Sequence, residues 1–201
     1  MSSTLHVQKI DFKNQFLLQL ATPSQWTDSV HMFVLMHMLL MENASFTPPT
    51  LTSLMQSKDR QFQAAIKKDK IRHYVGLAIN LVAGHVEVLD SLPDLYDEDA
   101  VLGFLKPILQ MLSYLIRYVA KNNSRDLSPF TCQRKPGTYQ NIRFGDCGLV
   151  CVKFMELHLY GDPYPHMSGI TDDNVDKFRQ QYAMEAYKTI VLPAYHATTP
   201  Q

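Results

Sequence analysis

The sequence is poor in cysteine, and the cysteines it has are unevenly placed. The 201 residues include three of them, Cys132, Cys147 and Cys151. That is too few for the disulfide framework that stabilises small secreted domains. We therefore expect reduced thiols, which leaves one of them free for chemistry.

The chain also lacks an excess of charge and a long apolar run. Lys and Arg together number 19, as do Asp and Glu, so the formal net charge is zero and nothing draws the chain to nucleic acid or an anionic membrane. The N-terminal MSSTLHVQKI has no apolar stretch of signal-peptide length, and HMFVLMHMLLM is too short to span a bilayer. These absences predict a soluble intracellular protein, in the nucleus or the cytoplasm, with no nucleic-acid or membrane partner.

Signatures for metals and nucleotide cofactors are missing as well. No metal-ligand spacing with cysteines or carboxylates is seen for His31, His37, His85, His158, His166 and His196. The chain contains no phosphate loop and no dinucleotide fingerprint. We expect no metal and no cofactor, and the sequence carries no sign of an oligomeric state.

What the chain does have is a hydrophobic content of 46 %, enough to bury a full core. Helical patterns occur at residues 23–41, 51–68, 97–120, 145–157 and 171–193, and strand patterns at 73–81, 85–91 and 128–135. We find no internal repeat. The sequence therefore predicts one α+β domain over residues 1–201, with its core at about 10–195.

Apolar spacing predicts which side of three of these helices faces the core. The predicted inner residues are Val30, Phe33, Val34, Met38 and Met41 in the first helix, Leu102, Leu105, Leu109, Leu112 and Ile116 in the third, and Val175, Phe178, Tyr182, Tyr187 and Ile190 in the last. The third helix is expected to kink at Pro107, and Thr171 is expected to cap the last one.

Two neighbouring strand patterns predict a hairpin with a defined register. If residues 81–84 form its loop, Ile79 faces Val86 and Leu77 faces Val88, so that both apolar sets share one face. His73 continues the inward set of the first strand, and Asp90 continues that of the second. The two side chains are therefore expected to be inward neighbours.

An inward His beside an inward carboxylate has two interpretations. The pair is either a satisfied polar pair that holds the edge of the sheet, or part of a catalytic site. A third partner decides between them, and the stretch YQNIRFGDCGLVCVKFMEL offers one. Its Gly145 and Asp146 predict the start of a buried helix, with Cys147 in the first turn.

The position of Cys147 suits a nucleophile. Unpaired backbone N–H groups and the positive end of the helix dipole favour the thiolate in the first turn. Cys151, one turn further along, is read as a small core residue. A thiolate that attacks an acyl carbon needs a His to share its proton, a carboxylate to orient that His, and donors for the oxyanion. His73, Asp90 and the amides of Gln140 and Asn141 supply these types.

With these residues in place the sequence resembles the ubiquitin-like-protein-specific cysteine proteases, also called the Ulp, sentrin-type or SUMO protease family. The closest likeness is to the plant, transposon-associated branch. The resemblance is carried by HYVGLAINL, VEVLDS and QNIRFGDCGLVCVKFMELHLYGDP, and extends to PSQWTDSVHMFVLMHML and MSGITDDNVDKFRQQYAMEAYKTIVLPAY. It covers nearly the whole chain. The combination of a His-to-Asp step of 17 residues, Gln-Asn and Gly-Asp-Cys-Gly before a helix is its most specific part.

The resemblance implies a fold, an activity and roles. The fold is that of a papain-like cysteine peptidase, with a small central sheet flanked by helices. The activity is cleavage after the C-terminal Gly-Gly of SUMO or a related ubiquitin-like modifier, by precursor processing or deconjugation, so that the modifier and its conjugates are the partners. His73 would be the general base, Asp90 its orienting acid and Cys147 the nucleophile.

Two positions depart from the usual family pattern. Tyr74 follows the His where the family usually has Trp; with Trp26 it would form the walls of a narrow tunnel for the Gly-Gly tail. Trp26 is also open to interpretation as a core anchor of the first helix. The usual Gln six residues before the nucleophile is Asn141 here, with Gln140 one residue earlier. Either amide could serve the oxyanion hole.

Other functions stay open at this stage. One is an inactive, transposon-derived domain that only binds a ubiquitin-like modifier. Another is a peptidase that acts on ubiquitin, on another modifier or on an ordinary peptide.

Overall fold

A three-stranded sheet carries helices on both of its faces. The computed structural model describes residues 14–41, 73–119, 126–143 and 145–193. In these ranges the strands are β1 (Gly76–Asn80), β2 (His85–Leu89) and β3 (Thr131–Arg134), in that order across the sheet. Strand β1 is antiparallel to β2, and β3 is parallel to β2. With five helices in the same ranges, this is the α+β architecture that the sequence predicts.

The β1–β2 hairpin has the predicted register. Leu77 pairs with Val88 and Ile79 pairs with Val86, across a turn at residues 81–84. The prediction was therefore confirmed, because only this register buries both apolar sets on one face. The first strand begins three residues later than its pattern suggested, so His73 lies just before it.

Helix α3 (Glu98–Val119) covers one face of the sheet. It begins next to Asp97, whose Oδ1 accepts the N–H of Ala100 at 2.7 Å. The buried apolar residues of this face form one cluster: Val86, Val88, Val101, Leu105, Ile108, Leu109, Leu112 and Phe130. Leu102, a predicted inner residue, is 40 % exposed. That prediction was wrong because the buried stripe starts one residue earlier, at Val101.

By length and composition alone, the span Glu98–Arg117 of α3 could cross a membrane. The residues of this helix that are buried, however, pack on the sheet. Pro107 lies within the helix.

Helix α4 (Cys147–Leu159) is the central helix of the other face. It packs against both strands of the hairpin and against two further helices. Its buried residues are Cys147, Gly148, Leu149, Val150, Cys151, Val152, Phe154 and Leu157. The backbone at Gly76 of β1 comes so close to α4 that an added Cβ would lie 3.1 Å from Met155 Cγ. The nucleophile candidate is therefore carried by a helix fixed on several sides.

Helix α2 (Ser29–Met41) begins later than predicted. Its start is set by Asp28, whose Oδ1 accepts the N–H groups of Val30 and His31, both at 2.9 Å. The buried residues are His31, Met32, Val34, Leu35 and Met36, whereas Val30 and Phe33 are 39 % and 42 % exposed. The predicted inner face was therefore wrong in part. This helix is apolar almost all round, so spacing alone does not identify its buried side.

Helices α1 (Asn14–Ala21) and α5 (Asp172–Ala186) pack against each other. Helix α1 was not predicted from the sequence. Thr171 caps α5 as predicted, in a reciprocal pair with Asn174. Tyr187, a predicted docking residue, lies in a wider turn after α5 and is 42 % exposed, so this prediction was wrong. The helix predicted at residues 51–68 lies outside the described residues.

Candidate active site

His73 and Asp90 form a buried pair at the end of the hairpin away from its turn. Nε2 of His73 donates to Oδ1 of Asp90 at 2.7 Å, and the two side chains are 5 % and 4 % exposed. The prediction that they are inward neighbours is confirmed. Such a bond orients the imidazole and leaves its other nitrogen, Nδ1, to face a different partner.

The surroundings of His73 favour its charged form. Burial lowers the pKa of the imidazole, but the hydrogen bond to Asp90 and the nearby Cys147 outweigh burial and raise the pKa from 6.5 to about 9. Nδ1 is buried and makes no hydrogen bond to the described residues. It is therefore available for proton exchange with the thiol that influences this pKa.

Asp90 is held as a carboxylate from several directions. Burial raises its pKa, but the hydrogen bonds from His73 and from the Leu92 N–H, together with the charges of His73 and Arg134, bring the pKa below its ordinary value. The Leu92 N–H donates to Oδ1 at 2.8 Å, and Nε of Arg134 lies 3.4 Å from Oδ2. Arg134 is itself fixed, because its Nη1 donates to the Pro93 carbonyl at 2.8 Å.

Cys147 is the first residue of α4, and its side chain is 2 % exposed. The first N–H groups of an α-helix have no partner within the helix, so they point toward this end. The other two thiols differ in place and character. Cys151 is fully buried and Cys132 half-buried on β3, and burial raises the pKa of both. Of the three, only Cys147 contributes to the raised pKa of His73.

The two candidate amides differ in burial. Asn141 is fully buried, whereas Gln140 is exposed. The backbone N–H of Asn141 donates to the Ser91 carbonyl at 2.7 Å, and its Oδ1 accepts the Arg143 N–H at 3.1 Å. Its Nδ2 is buried without a hydrogen bond to the described residues. A fixed, unpaired donor of this kind is what a developing oxyanion needs.

Residues 24–27, the Trp26 segment, lie directly on the two glycines on either side of Cys147, Gly145 and Gly148. An added Cβ on Gly148 would lie 2.1 Å from Thr27 Oγ1, and one on Gly145 would lie 2.5 Å from the Ser24 carbonyl oxygen. Gly145 also has a φ of 91°, which side chains disfavour. Only glycine allows this approach at either position.

The two predicted tunnel residues are placed differently. Trp26 is 50 % exposed, so it is not a core anchor of the first helix. Tyr74 is half-buried and packs against the cluster that surrounds α4. The structure thus brings the Trp26 segment to the end of α4 that begins with Cys147.

Arg179 on α5 has no exposed surface, and its part in the site was not predicted from the sequence. Its Nε donates to Oδ1 of Asp146 at 2.7 Å, and its Nη2 donates to the Gly145 carbonyl at 3.2 Å. A signal was present: Arg179 lies four residues after Val175, on the stripe of α5 that is otherwise buried and apolar. An arginine on such a stripe predicts a buried charge partner.

Asp146 immediately precedes Cys147 and is fully buried. As the residue before α4 it would be expected to cap the helix, but its side chain makes no capping bond. Its carboxylate pairs instead with two arginines: Arg179 through Oδ1 and Arg143 through Oδ2, the latter at 3.0 Å. The first N–H groups of α4 are therefore not occupied by this carboxylate.

Together these residues can support covalent acyl transfer. A thiol at a helix N-terminus, a His with a raised pKa, a carboxylate that orients it and a buried amide donor lie at one end of α4. Within the described ranges no group of three His, Cys, Asp or Glu side chains could hold a metal ion.

Comparison with known proteins agrees with this chemistry. Residues 66–194 match the sequence model of the Ulp1 protease family, C-terminal catalytic domain. A search of curated proteins finds no significant match.

Proposed function

The chain belongs to the Ulp1 protease family, whose fold is papain-like and whose members are cysteine proteases of ubiquitin-like proteins, and on that basis we propose a specific reaction. In this reaction the protein cleaves its substrate after the C-terminal Gly-Gly of SUMO or a related modifier, and Cys147, His73 and Asp90 carry out the chemistry. The observation that carries the proposal is the buried 2.7 Å hydrogen bond between His73 and Asp90 beside the Cys147 thiol. The likeness to the plant, transposon-associated branch stays a prediction.

In the first half of the reaction His73 holds the proton of Cys147. The thiolate attacks the carbonyl carbon of the terminal glycine, and the carbonyl oxygen becomes an oxyanion. Asn141 Nδ2 and the N–H groups at the start of α4 donate to that oxyanion. The C–N bond then breaks, the leaving amine takes the proton from His73, and a thioester remains on Cys147.

In the second half water attacks the thioester. His73 accepts a proton from the water as its oxygen bonds to the acyl carbon. The C–S bond breaks, Cys147 leaves as the thiolate while His73 keeps the proton that it took, and the new carboxylic acid loses its remaining proton to solvent as the modifier is released. Asp90 stays ionised throughout and stabilises the imidazolium by its hydrogen bond.

The low exposure of the site supports a thin substrate. Cys147 is 2 % exposed and Asn141 is fully buried, so a chain segment with side chains has little room to reach them. A Gly-Gly tail carries no side chains and is therefore thin enough to enter. We propose that Trp26 and Tyr74 line its approach, an arrangement that accepts glycine and rejects larger residues by steric exclusion.

The test is intact-mass analysis after incubation with SUMO, ubiquitin and other modifiers that carry a C-terminal electrophile. We expect an adduct of one modifier with the native protein and with Cys151→Ala. Cys147→Ala should give no adduct. Cys151 is the matched control because it lies one turn away on the same helix.

Each other outcome has a definite meaning. An adduct with ubiquitin in preference to SUMO would change the substrate class and keep the mechanism. Binding of a modifier without an adduct, by a folded protein, would indicate an inactive binding domain. An adduct that survives Cys147→Ala would exclude Cys147 as the nucleophile.

A further inference from the structure

Arg179 joins three parts of the chain that meet at the nucleophile. Besides Asp146 and Gly145, its guanidinium donates to the carbonyl of Leu20 at 3.0 Å and to that of Gln25. Leu20 belongs to α1, and Gln25 immediately precedes Trp26. One buried side chain on α5 therefore holds the end of α1, the Trp26 segment and the turn before Cys147.

The pairing of Arg179 with Asp146 has an electrostatic consequence. An Asp directly before a helix normally accepts N–H groups of the first turn, which here would be those of Gly148 and Leu149. That arrangement would also bring a negative charge close to the sulfur of Cys147. Because the Asp146 carboxylate points to Arg179 instead, it leaves the first-turn N–H groups of α4 unoccupied. The guanidinium of Arg179 balances the negative charge of this carboxylate.

We propose that Arg179 is a positioning residue that sustains the reactivity of Cys147, by keeping the Asp146 carboxylate neutralised and away from the start of α4 while fixing the Trp26 segment. Only the expected effect of Arg179 on the turnover of a modifier substrate rests on the proposed function. Its effect on the thiol is independent of which substrate the enzyme takes.

Several charged and titratable groups lie near Cys147 or are linked to it through Asp90 or Asp146, and they have to be considered together. They are His73 ahead of β1, Asp90 after β2, Arg134 on β3, Tyr139, Arg143 and Asp146 before α4, Cys151 on α4, and Asp172, Asp176 and Arg179 on α5. Arg143 also pairs with Asp172 and Asp176, with its Nη1 2.9 Å from Asp176 Oδ1. Of all the cations, Arg179 alone combines a contact to Asp146 with contacts to the Trp26 segment in the described part of the chain.

The first test measures alkylation of Cys147 by iodoacetamide as a function of pH, in a Cys132→Ala background that removes the half-buried thiol. Arg179→Met leaves Asp146 without its main partner, which disfavours the thiolate. We expect the low-pH midpoint of the rate curve to rise by about one pH unit, and the rate below it to fall about tenfold. Asp146→Asn leaves Arg179 unbalanced, and we expect the midpoint to fall.

The double variant Arg179→Met/Asp146→Asn separates charge from simple damage to the fold. Since both charges are gone, its midpoint should return to within a few tenths of a pH unit of the parent value. A purely structural role would make the double variant at least as impaired as Arg179→Met. Lys153→Met is the matched control, because Lys153 pairs with Glu156 on α4 and does not contact Asp146; it should leave the midpoint unchanged.

The second test uses Trp26, which is the only tryptophan in the chain. Quenching of its fluorescence by acrylamide reports how firmly its segment is held. Arg179→Lys keeps the charge but cannot make five directed N–H contacts. We expect more quenching with a nearly unchanged alkylation midpoint, and a lower kcat/KM for a modifier substrate.

The outcomes separate this proposal from the proposed function. Loss of all modifier cleavage with the expected alkylation shifts would overturn the substrate assignment and keep the role of Arg179. Unchanged midpoints in Arg179→Met and Asp146→Asn, or no recovery in the double variant, would overturn the role of Arg179. If Arg179→Met does not fold, the opposite shift in Asp146→Asn and the quenching in Arg179→Lys still decide the question.

Discussion

Among single residues, the two adjacent amides before Cys147 differ most sharply in their surroundings. Asn141 is tied to Ser91 through its backbone and to Arg143 through Oδ1, which leaves one N–H group fixed and unpaired. Gln140 projects toward solvent. Both residues lie in the loop between β3 and α4, where no regular spacing indicates from the sequence which of two neighbours faces inward.

Asn141→Ala is expected to lower kcat by about 10²–10³-fold, because one preorganised oxyanion donor is lost. KM should change little, since the donor acts mainly on the developing charge. Steady-state kinetics on a modifier fusion substrate measures both constants. Gln140→Ala is the matched control and should stay within about twofold of the parent; a reversal of the two results would assign the donor role to Gln140.

The His73–Asp90 pair makes a pH prediction. Reactivity that depends on the His73 imidazolium is present below a pKa of about 9 and is lost as the pH rises through it. Asp90→Asn removes the partner that raises this pKa, while the burial that lowers it remains. We therefore expect the alkaline limb of the kcat/KM profile to move down by more than one pH unit, with kcat reduced about 10²–10⁴-fold.

The control for this change is Asp94→Asn, which removes an exposed carboxylate from the same loop region. It should leave the alkaline limb where it is in the parent. An unchanged limb in Asp90→Asn would show that another group sets the alkaline pH dependence.

At the scale of secondary-structure elements, the closest approach in the site is between α4 and the Trp26 segment. Gly148→Ala places a Cβ 2.1 Å from Thr27 Oγ1. We expect a loss of about 1–3 kcal/mol in the free energy of unfolding, because neither the helix nor the buried Thr27 can yield. Urea denaturation measures this value, and Thr27→Ala in the same chain should recover part of it.

Gly103→Ala is the matched helix control. Its added Cβ would have nothing within 4 Å, so only helix propensity changes, and the free energy of unfolding should rise by up to about 1 kcal/mol. Equal effects of the two alanines would mean that contact with Thr27 does not constrain α4.

The elements also show what sequence could predict. The hairpin register was predictable because two alternating strands and a four-residue turn allow one pairing that buries both apolar sets. The inner face of α2 was not, since almost every position of that helix is apolar. The partner of Asp146 was also out of reach: Arg179 comes 33 residues later, and only the packing of α5 on α4 brings the two together.

For the whole molecule, the family match and the folded unit do not have the same limits. The match covers residues 66–194, yet the cluster around α4 includes residues of α1 and α2: Leu20, Met32, Leu35 and Met36. Arg179 also uses carbonyls from this N-terminal part. The catalytic unit therefore includes chain that the family match leaves out.

A fragment of residues 66–194 is accordingly expected to lack a cooperative thermal transition. Without α1 and α2, one side of α4 and α5 would face water, and Arg179 would lose acceptors at Leu20 and Gln25. Circular dichroism and near-ultraviolet spectra of the fragment and the 201-residue chain test this. A cooperative transition in the fragment, with an alkylation curve like that of the full chain, would contradict it.

The packing of α1 against α5 bears on how the molecule responds to force. These two are the first and last α-helices of the described ranges, so tension applied across them loads their contact before it reaches the sheet. Arg179 bridges that contact and also supports the turn before Cys147. Mechanical unfolding that separates these two helices would therefore disrupt the surroundings of the Cys147 thiol first, while the hairpin next to His73 and Asp90 is still intact.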